Sequence, residues 1–598
     1  MQPAASQQRQ HTLSAPTSAK PVVPQLRFAA LALALSMGLP WAWGLTGALL
    51  AAGSATGWSS LAMDVQTRPA LWMAVWTGVA ATAVAWFGAA WLLAAHFGSP
   101  RWVALVRRLP AMLALPHAAF AIGAVILLAP SGVLVRLGAA ALAPLDSALG
   151  LVLDTPPAWR SAQDPWGLGL IAVLVLKEVA FLLWAAAAHL QRPDIARRMG
   201  LELRLAQTLG YSAADAWWRV AWPQLRPRML APLVAVLAYN IGVVDVALVI
   251  GPTTPPPLAV LAWQWLQDAD PAINARGAAA AWLLAAVLAV VVALGAGAQS
   301  LLTTHWSRPR WSRGPRPGPV SDRGDAPHRT AGRGLNATIA RAGLHGAYLA
   351  VVMALAWASV ASLWPFPDLW PQAWSLEAWG QVVQSAGTVG TTVWLGMTSA
   401  AAAVLWCVAW FECAPARWQQ RAWALVYLPL ALPGVLWTLG LHRLALDWGI
   451  DASAWGLWLA HSLCALPYVA LVLHGPYSGF DPRLGALSAT LGCSPWAFVW
   501  RVKLPLLRGA LAAAFAVGFA VSVAQYLPTL YVGAGRYTTV GTEALALSGG
   551  GQRSLMAAYA ALLWLLPAAV FGLAAWVARP RRWATPRHNA GGLAVQGR

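Results

Sequence analysis

The sequence predicts an all-α membrane protein that crosses the bilayer about twelve times, as two parallel six-span repeats. Three observations carry this. The 598-residue chain is 59% hydrophobic and only 10% charged, too few charges to cover a soluble domain of that size. Apolar runs of about twenty residues recur along its whole length, each able to cross roughly 30 Å of hydrocarbon as a helix. A polar stretch at 206–226, AQTLGYSAADAWWRVAWPQLR, returns at 488–508 as SATLGCSPWAFVWRVKLPLLR.

The apolar runs place spans near 28–50, 71–96, 111–130, 166–189, 228–250, 278–302, 343–364, 387–411, 422–446, 454–474, 509–531 and 555–578. The first follows Lys20 and Arg27, as a signal peptide would. Its apolar stretch is too long for one and has no clear cleavage site, so it reads as an uncleaved span. The net charge is +20, almost all from arginine; the lysines are Lys20, Lys177 and Lys503. Nucleic-acid binding is one source of such a balance, but here the arginines gather in alternate loops, as the positive-inside rule expects. Arg101, Arg107 and Arg108 follow span two, seven arginines from Arg192 to Arg228 surround the first polar stretch, and Arg579, Arg581, Arg582 and Arg587 close the chain. The opposite loops hold most of the acids, among them Asp64, Asp164, Asp268, Asp368 and Asp447. Both termini and both polar stretches are therefore expected in the cytoplasm. Cys407, Cys413, Cys464 and Cys493 form no CxxC pair and read as packing residues, with no metal site implied.

The chain divides into a tail, 1–27; a first half, 28–302; a basic linker, 303–342; a second half, 343–578; and a tail, 579–598. The linker is rich in Pro, Gly and Arg and has no apolar period, as a flexible tether would. Gly210 pairs with Gly492, Pro223 with Pro505 and Gly251 with Gly533, all 282 residues apart. Ten of 21 residues in the two polar stretches are identical, where chance gives one or two, so the halves are a duplication. LALPHAAFAIG at 113–123 likewise matches LALPGVLWTLG at 430–440. Six spans of one topology in each half make the repeats parallel.

A bilayer does not need the repeated stretch. Its residues suit two short helices hinged at glycine. Thr208, Leu209 and Gly210, with Thr490, Leu491 and Gly492, end the first helix at a residue that turns sharply without a Cβ clash. Ser212 and Ser494 suit N-caps. Trp218, Val220, Trp222, Trp500 and Val502 offer apolar surface, and Arg219 and Arg501 offer charge. Pro223 and Pro505 would let a new helix begin as the chain re-enters the membrane. Such a motif can dock in a groove on a soluble partner. An interfacial helix on lipid headgroups explains one copy, but not two in fixed register.

The pattern G-x9-hydrophobic-x-[L/W]-P resembles the EAA loop of bacterial ABC-importer permeases, matched here at Gly210, Val220 and Pro223 and at Gly492, Val502 and Pro505. Arg204-Leu205-Ala206 and Ala486-Leu487-Ser488 stand where Glu-Ala-Ala would be. The resemblance implies a type I importer permease in a bacterial inner membrane, with the loops acting as coupling helices on an ATP-binding subunit. The fused two-half form resembles thiamine and iron(III) permeases. Residues 116–132 with 174–183 look most like YnjC-type permeases. The same resemblance implies two ATPase copies, a periplasmic substrate-binding protein, and ATP and magnesium held by the partner.

No lysine follows a glycine, so the chain cannot supply a P-loop itself. The rival reading is a twelve-span ion-coupled secondary transporter, for which a 6+6 repeat is also common. A membrane enzyme finds no support: there is no nucleophile elbow, HExxH or histidine cluster. Intramembrane polar residues cost about 2.5–3.5 kcal/mol each and so need a reason. Lys177 and Glu178 in span four, Asn240 and Asp245 in span five, and Gln525 and Tyr526 in span eleven are the candidate substrate path. Lys177 and Glu178 point about 100° apart on a helix and are poor partners for each other. Interhelical hydrogen bonding without substrate contact is the alternative for all six. His117, His442 and His461 have no ligand spacing and read as packing or interface residues. The acidic and aromatic candidates favour a thiamine-like organic cation; iron(III) and other small solutes remain open.

Overall fold

The computed structural model describes residues 24–145, 154–190, 193–306 and 328–579. Among these, nine helices are long and apolar enough to cross a membrane. The chain is an all-α polytopic membrane protein, and nine of the twelve expected crossings are these helices.

The other three expected crossings are not single long helices; two bent helix pairs bring the spans among the described residues to as many as eleven. Span five is Leu230–Gly242 followed by Asp245–Ile250, and span eleven is Arg508–Val523 followed by Leu527–Gly533. Helices of 13 and 16 residues reach only about 20–24 Å, short of the hydrocarbon thickness, so each needs its second piece. Span nine is not the straight 422–446 helix. Ala416–Ala431 and Gly434–Asp447 meet at 106°. Leu432, held extended before Pro433 (φ −105°, ψ 144°), makes the corner, because a proline ring excludes the helical region for the residue before it.

The matching LALP makes the same corner in the first half. The amphipathic helix Pro100–Leu113 ends there and the crossing starts at His117, not near 111. Trp102, Leu105, Leu109 and Met112 form its buried stripe. The crossing then continues as Val133–Leu142, in what reads from sequence as outer loop. Span seven also ends early. Helix His328–Ala358 stops, and Ala361–Leu363 pairs antiparallel with Ala373–Trp374. Helix runs over Pro271–Trp306 and His328–Ala358, so it reaches into both ends of the 303–342 stretch; residues 307–327 lie outside the described residues.

Helices two, four and five of each half pack together. They are Thr67–His96, Leu168–Leu190 and Leu230–Gly242, then Ala386–Cys413, Ala454–Ser478 and Arg508–Val523. The first helix of each half is exchanged. Pro24–Ala51 packs on Gly434–Asp447, and His328–Ala358 packs on His117–Leu128. The contact points correspond, because Gly123 and Gly440 each stand seven residues after the LALP proline. A Cβ on Gly123 would lie 2.6 Å from Val351, and one on Gly440 2.9 Å from the Gly44 carbonyl. Glycine lets the backbones approach closely, the usual device of membrane helix pairs. Gly440→Val should therefore cost about 1–3 kcal/mol through overpacking, read as a lowered melting temperature in detergent. Gly38→Val, where a Cβ meets only open space, should leave that temperature unchanged.

Candidate coupling loops and translocation path

The two polar stretches fold alike. In the first, helix Pro193–Thr208 ends on Gly210 at φ +87°; in the second, Pro482–Thr490 ends on Gly492 at φ +77°. Both turns are Schellman motifs. Gly210 N–H donates to Gln207 O at 3.0 Å and Tyr211 N–H to Ala206 O at 3.1 Å. Gly492 N–H donates to Ala489 O and Cys493 N–H to Ser488 O, both at 3.0 Å. Thr208 and Thr490 donate their hydroxyls to Leu205 O and Leu487 O at 2.8 and 2.7 Å. Ser212 and Ser494 cap the next helix, accepting from Asp215 N–H at 3.1 Å and Ala497 N–H at 3.2 Å.

The prolines do something the sequence reading missed. The second helix of each loop contains a π-turn, at Trp217–Ala221 and Val499–Lys503. Trp222 N–H reaches back to Trp217 O, and Leu504 N–H to Val499 O. Pro223 and Pro505 follow at once. A proline ring crowds the carbonyl four residues back, and widening the helix by one residue relieves that crowding. The prolines therefore shape the loop helix; the next membrane helices begin later, at Leu230 and Arg508.

Matched residues face outward. Leu205, Leu209, Trp218 and Arg219 are exposed in the first loop, and Leu487, Leu491, Trp500 and Arg501 at the same spacing in the second. Val220 and Val502 are half-buried. Trp222 is not part of this surface: it packs against Trp86 at 5.1 Å and Trp218 at 5.5 Å between ring centroids. Two loops thus present the same apolar patch with an arginine beside it, which is the chemistry of a docking face. Glu202 braces the first loop, accepting from Gln224 at 2.6 Å and Arg198 at 2.8 Å. The Gln224 amide, and then Arg198, hold its carboxyl below the usual glutamate range. A depressed value means the brace is present above the ordinary glutamate pKa and is lost as pH falls through the lowered one.

The candidate path residues separate into two groups. Glu178, Asp245 and Tyr526 come together, and His117 and Tyr239 join them. His117 Nε2 lies 3.2 Å from Glu178 Oε1, and its ring packs 4.6 Å from that of Tyr239. Tyr239 donates to Asp245 at 3.5 Å. Asp245 is within electrostatic reach of His117 and Tyr526, and Tyr468 of the second half is within reach of Glu178. The His117 side chain is 30% exposed while Glu178 is 5% exposed, so the cluster opens on its histidine side. His117 therefore stands at an interface between helices, against Glu178 and Tyr239. No spacing pointed to it, because residues 117 and 178 meet only in three dimensions. Both breaks in the fifth spans lie here, at Val243–Val244 and at 524–526.

Lys177 and Asn240 find their partners elsewhere. Lys177 is buried and donates to Met112 O at 3.4 Å and to Leu115 O, with its ammonium 5.5 Å from the Tyr348 ring. It satisfies the carbonyls at the LALP corner. Asn240 donates to Thr82 at 3.0 Å, fully buried between two helices. Gln525 stands in the second break, its carbonyl accepting from Thr529 at 2.6 Å. His461 bridges Ser522 and Thr529 at 2.8 and 3.0 Å and ties that break together.

No protein-family model matches the chain. It is similar to the inner membrane ABC transporter permease protein YnjC of Escherichia coli K12, at 32% identity over 529 residues, covering 88% of this chain and 91% of that protein. Shorter likenesses run to the spermidine/putrescine transport system permease PotC of Haemophilus influenzae, 24% over 27% of this chain and 63% of the relative. The molybdenum transport system permease ModB of Mycobacterium bovis is 27% identical over 27% of this chain and 66% of the relative. Likeness over nearly the full length of both chains favours this permease class over an ion-coupled secondary transporter. The chain belongs to the bacterial ABC-importer permeases, multi-pass inner-membrane proteins that act as transport subunits rather than enzymes.

Proposed function

We propose that this chain forms the membrane passage of an ATP-driven importer, and that its two loops each seat one copy of a separate ATP-binding subunit. The observation that carries the proposal is the repetition: two glycine-hinged loops with the same left-handed turn, the same π-turn and the same exposed Leu, Trp and Arg set. ATP and magnesium belong to that partner, and a periplasmic binding protein delivers the solute. Both termini and both loops face the cytoplasm on this reading, and the membrane lipid covers the rest.

The solute that suits the path is a small organic cation such as thiamine. Glu178 and Asp245 supply negative charge, and Tyr239, Tyr526 and His117 supply ring surface beside it, the combination that holds organic cations. The relative PotC is named for spermidine and putrescine, which are cations; ModB is named for molybdenum.

Three experiments test this. Affinity purification of the tagged chain should bring down an ATPase; its absence would remove the coupling role. Reporters inserted at Gly318 and fused after Arg598 should both report cytoplasm, and a periplasmic signal from either would overturn the orientation. The ligand found in the periplasmic partner decides between thiamine and iron(III).

A further inference from the structure

The joint between each coupling loop and the second helix of its half is built from different chemistry in the two halves. In the first half, Phe97 stands three residues before Pro100, at the end of helix Thr67–His96, and packs 5.1 Å from Trp217 of the π-turn. In the second half, Glu412 stands three residues before Pro415, at the end of helix Ala386–Cys413. Its carboxylate lies 2.7 Å from the ammonium of Lys503, also in a π-turn, and both side chains are 11% exposed. Lys503 further lies over the rings of Tyr477 at 4.7 Å and Phe480 at 5.6 Å. One ammonium therefore joins the second helix, the end of the fourth and the coupling helix.

We propose that Glu412 and Lys503 are positioning residues that carry force from the second coupling loop to the second helix of that half, the task that Phe97 and Trp217 perform by packing in the first. The pair is nearly dry, so removing one partner leaves the other buried and uncompensated. Opening an aromatic contact gives up packing, whereas opening a buried ion pair strands two charges, so the second joint is the costlier to separate. The proposal rests on the coupling role given above to the loops.

The test uses the full chain with its co-purified ATPase in nanodiscs and needs no identified substrate. The exposed Cys493 is replaced by serine, and Ala269→Cys is introduced in the crevice of about 280 Å³ where the first half meets Arg443. A membrane-impermeant maleimide reports that position. With wild-type Glu412, ATP plus vanadate should change the labelling rate by about fivefold or more, the size of an ordinary coupling between sites. Glu412→Gln should bind the ATPase as well as wild type and lose most of that change. The swap Glu412→Lys with Lys503→Glu should restore it. A wild-type response in Glu412→Gln, loss of ATPase binding in that variant, or a swap that restores nothing would each overturn the proposal. A chain with wild-type Glu412 that binds no ATPase, or shows no response to ATP, would instead overturn the coupling role of the loops.

Discussion

Gly210→Val combined with Gly492→Val should cut ATP-driven transport by about tenfold or more while leaving the chain in the membrane. Both glycines hold φ near +80°. A β-branched residue in that region costs about 1–3 kcal/mol per site. At Gly492 a Cβ would meet nothing within 4 Å, so the penalty there is conformational rather than steric crowding by neighbours. It falls on the Schellman bonds that aim each coupling helix. Every 1.4 kcal/mol is a factor of ten in the population of the native turn, so two sites should reduce uptake by about one to four orders of magnitude. Insertion depends on the apolar spans, which neither change touches. Gly210→Asn with Gly492→Asn is the control, since asparagine tolerates the left-handed region and should keep most activity. Wild-type uptake and ATPase co-purification in the valine pair would show that the turns do not couple.

Glu178→Gln with Asp245→Asn should lower uptake of a cation such as thiamine about 10- to 100-fold, with the ATPase still bound. Both changes keep size and most hydrogen bonding, so His117 and Tyr239 retain their neighbours. What goes is charge. One unit charge about 4 Å from another is worth about 4 kcal/mol at an effective dielectric of 20, and water in the path takes part of that away. A purely structural role predicts near-normal uptake in the double variant, and that result would remove both residues from the path. Lys177→Met separates charge from structure at the adjacent position. Its ammonium satisfies carbonyls at the LALP corner, and an orphaned buried carbonyl costs about 1–3 kcal/mol. That variant should lose thermal stability, whatever the charge of the solute.

The sequence by itself determined the class, the duplication and the two loops. Each rests on local physics. Apolar length decides a crossing, glycine decides a left-handed turn, and Ser212 and Ser494 cap the helix that follows them. What lay beyond it were events with no local signature. The breaks in the fifth spans lie in runs apolar enough overall for hydropathy to read through them, although Asp245, Gln525 and Pro528 stand at them; at the first, Gly242 packs closely against Pro433 of the other half. The π-turns follow from a proline acting on a carbonyl four residues earlier, and an x-Pro signal alone reads as a helix start. The candidate path residues were legible as polar groups in apolar spans, but not as a cluster. Burial cost picked out Lys177, Glu178, Asn240 and Asp245 correctly as needing partners. Tertiary structure decided which partners they have: carbonyls for Lys177, Thr82 for Asn240, and His117 with Tyr239 for the two acids. It did so because a polar group in a membrane must be satisfied by whatever helix lies beside it, and which helix that is depends on contacts between residues far apart in the chain.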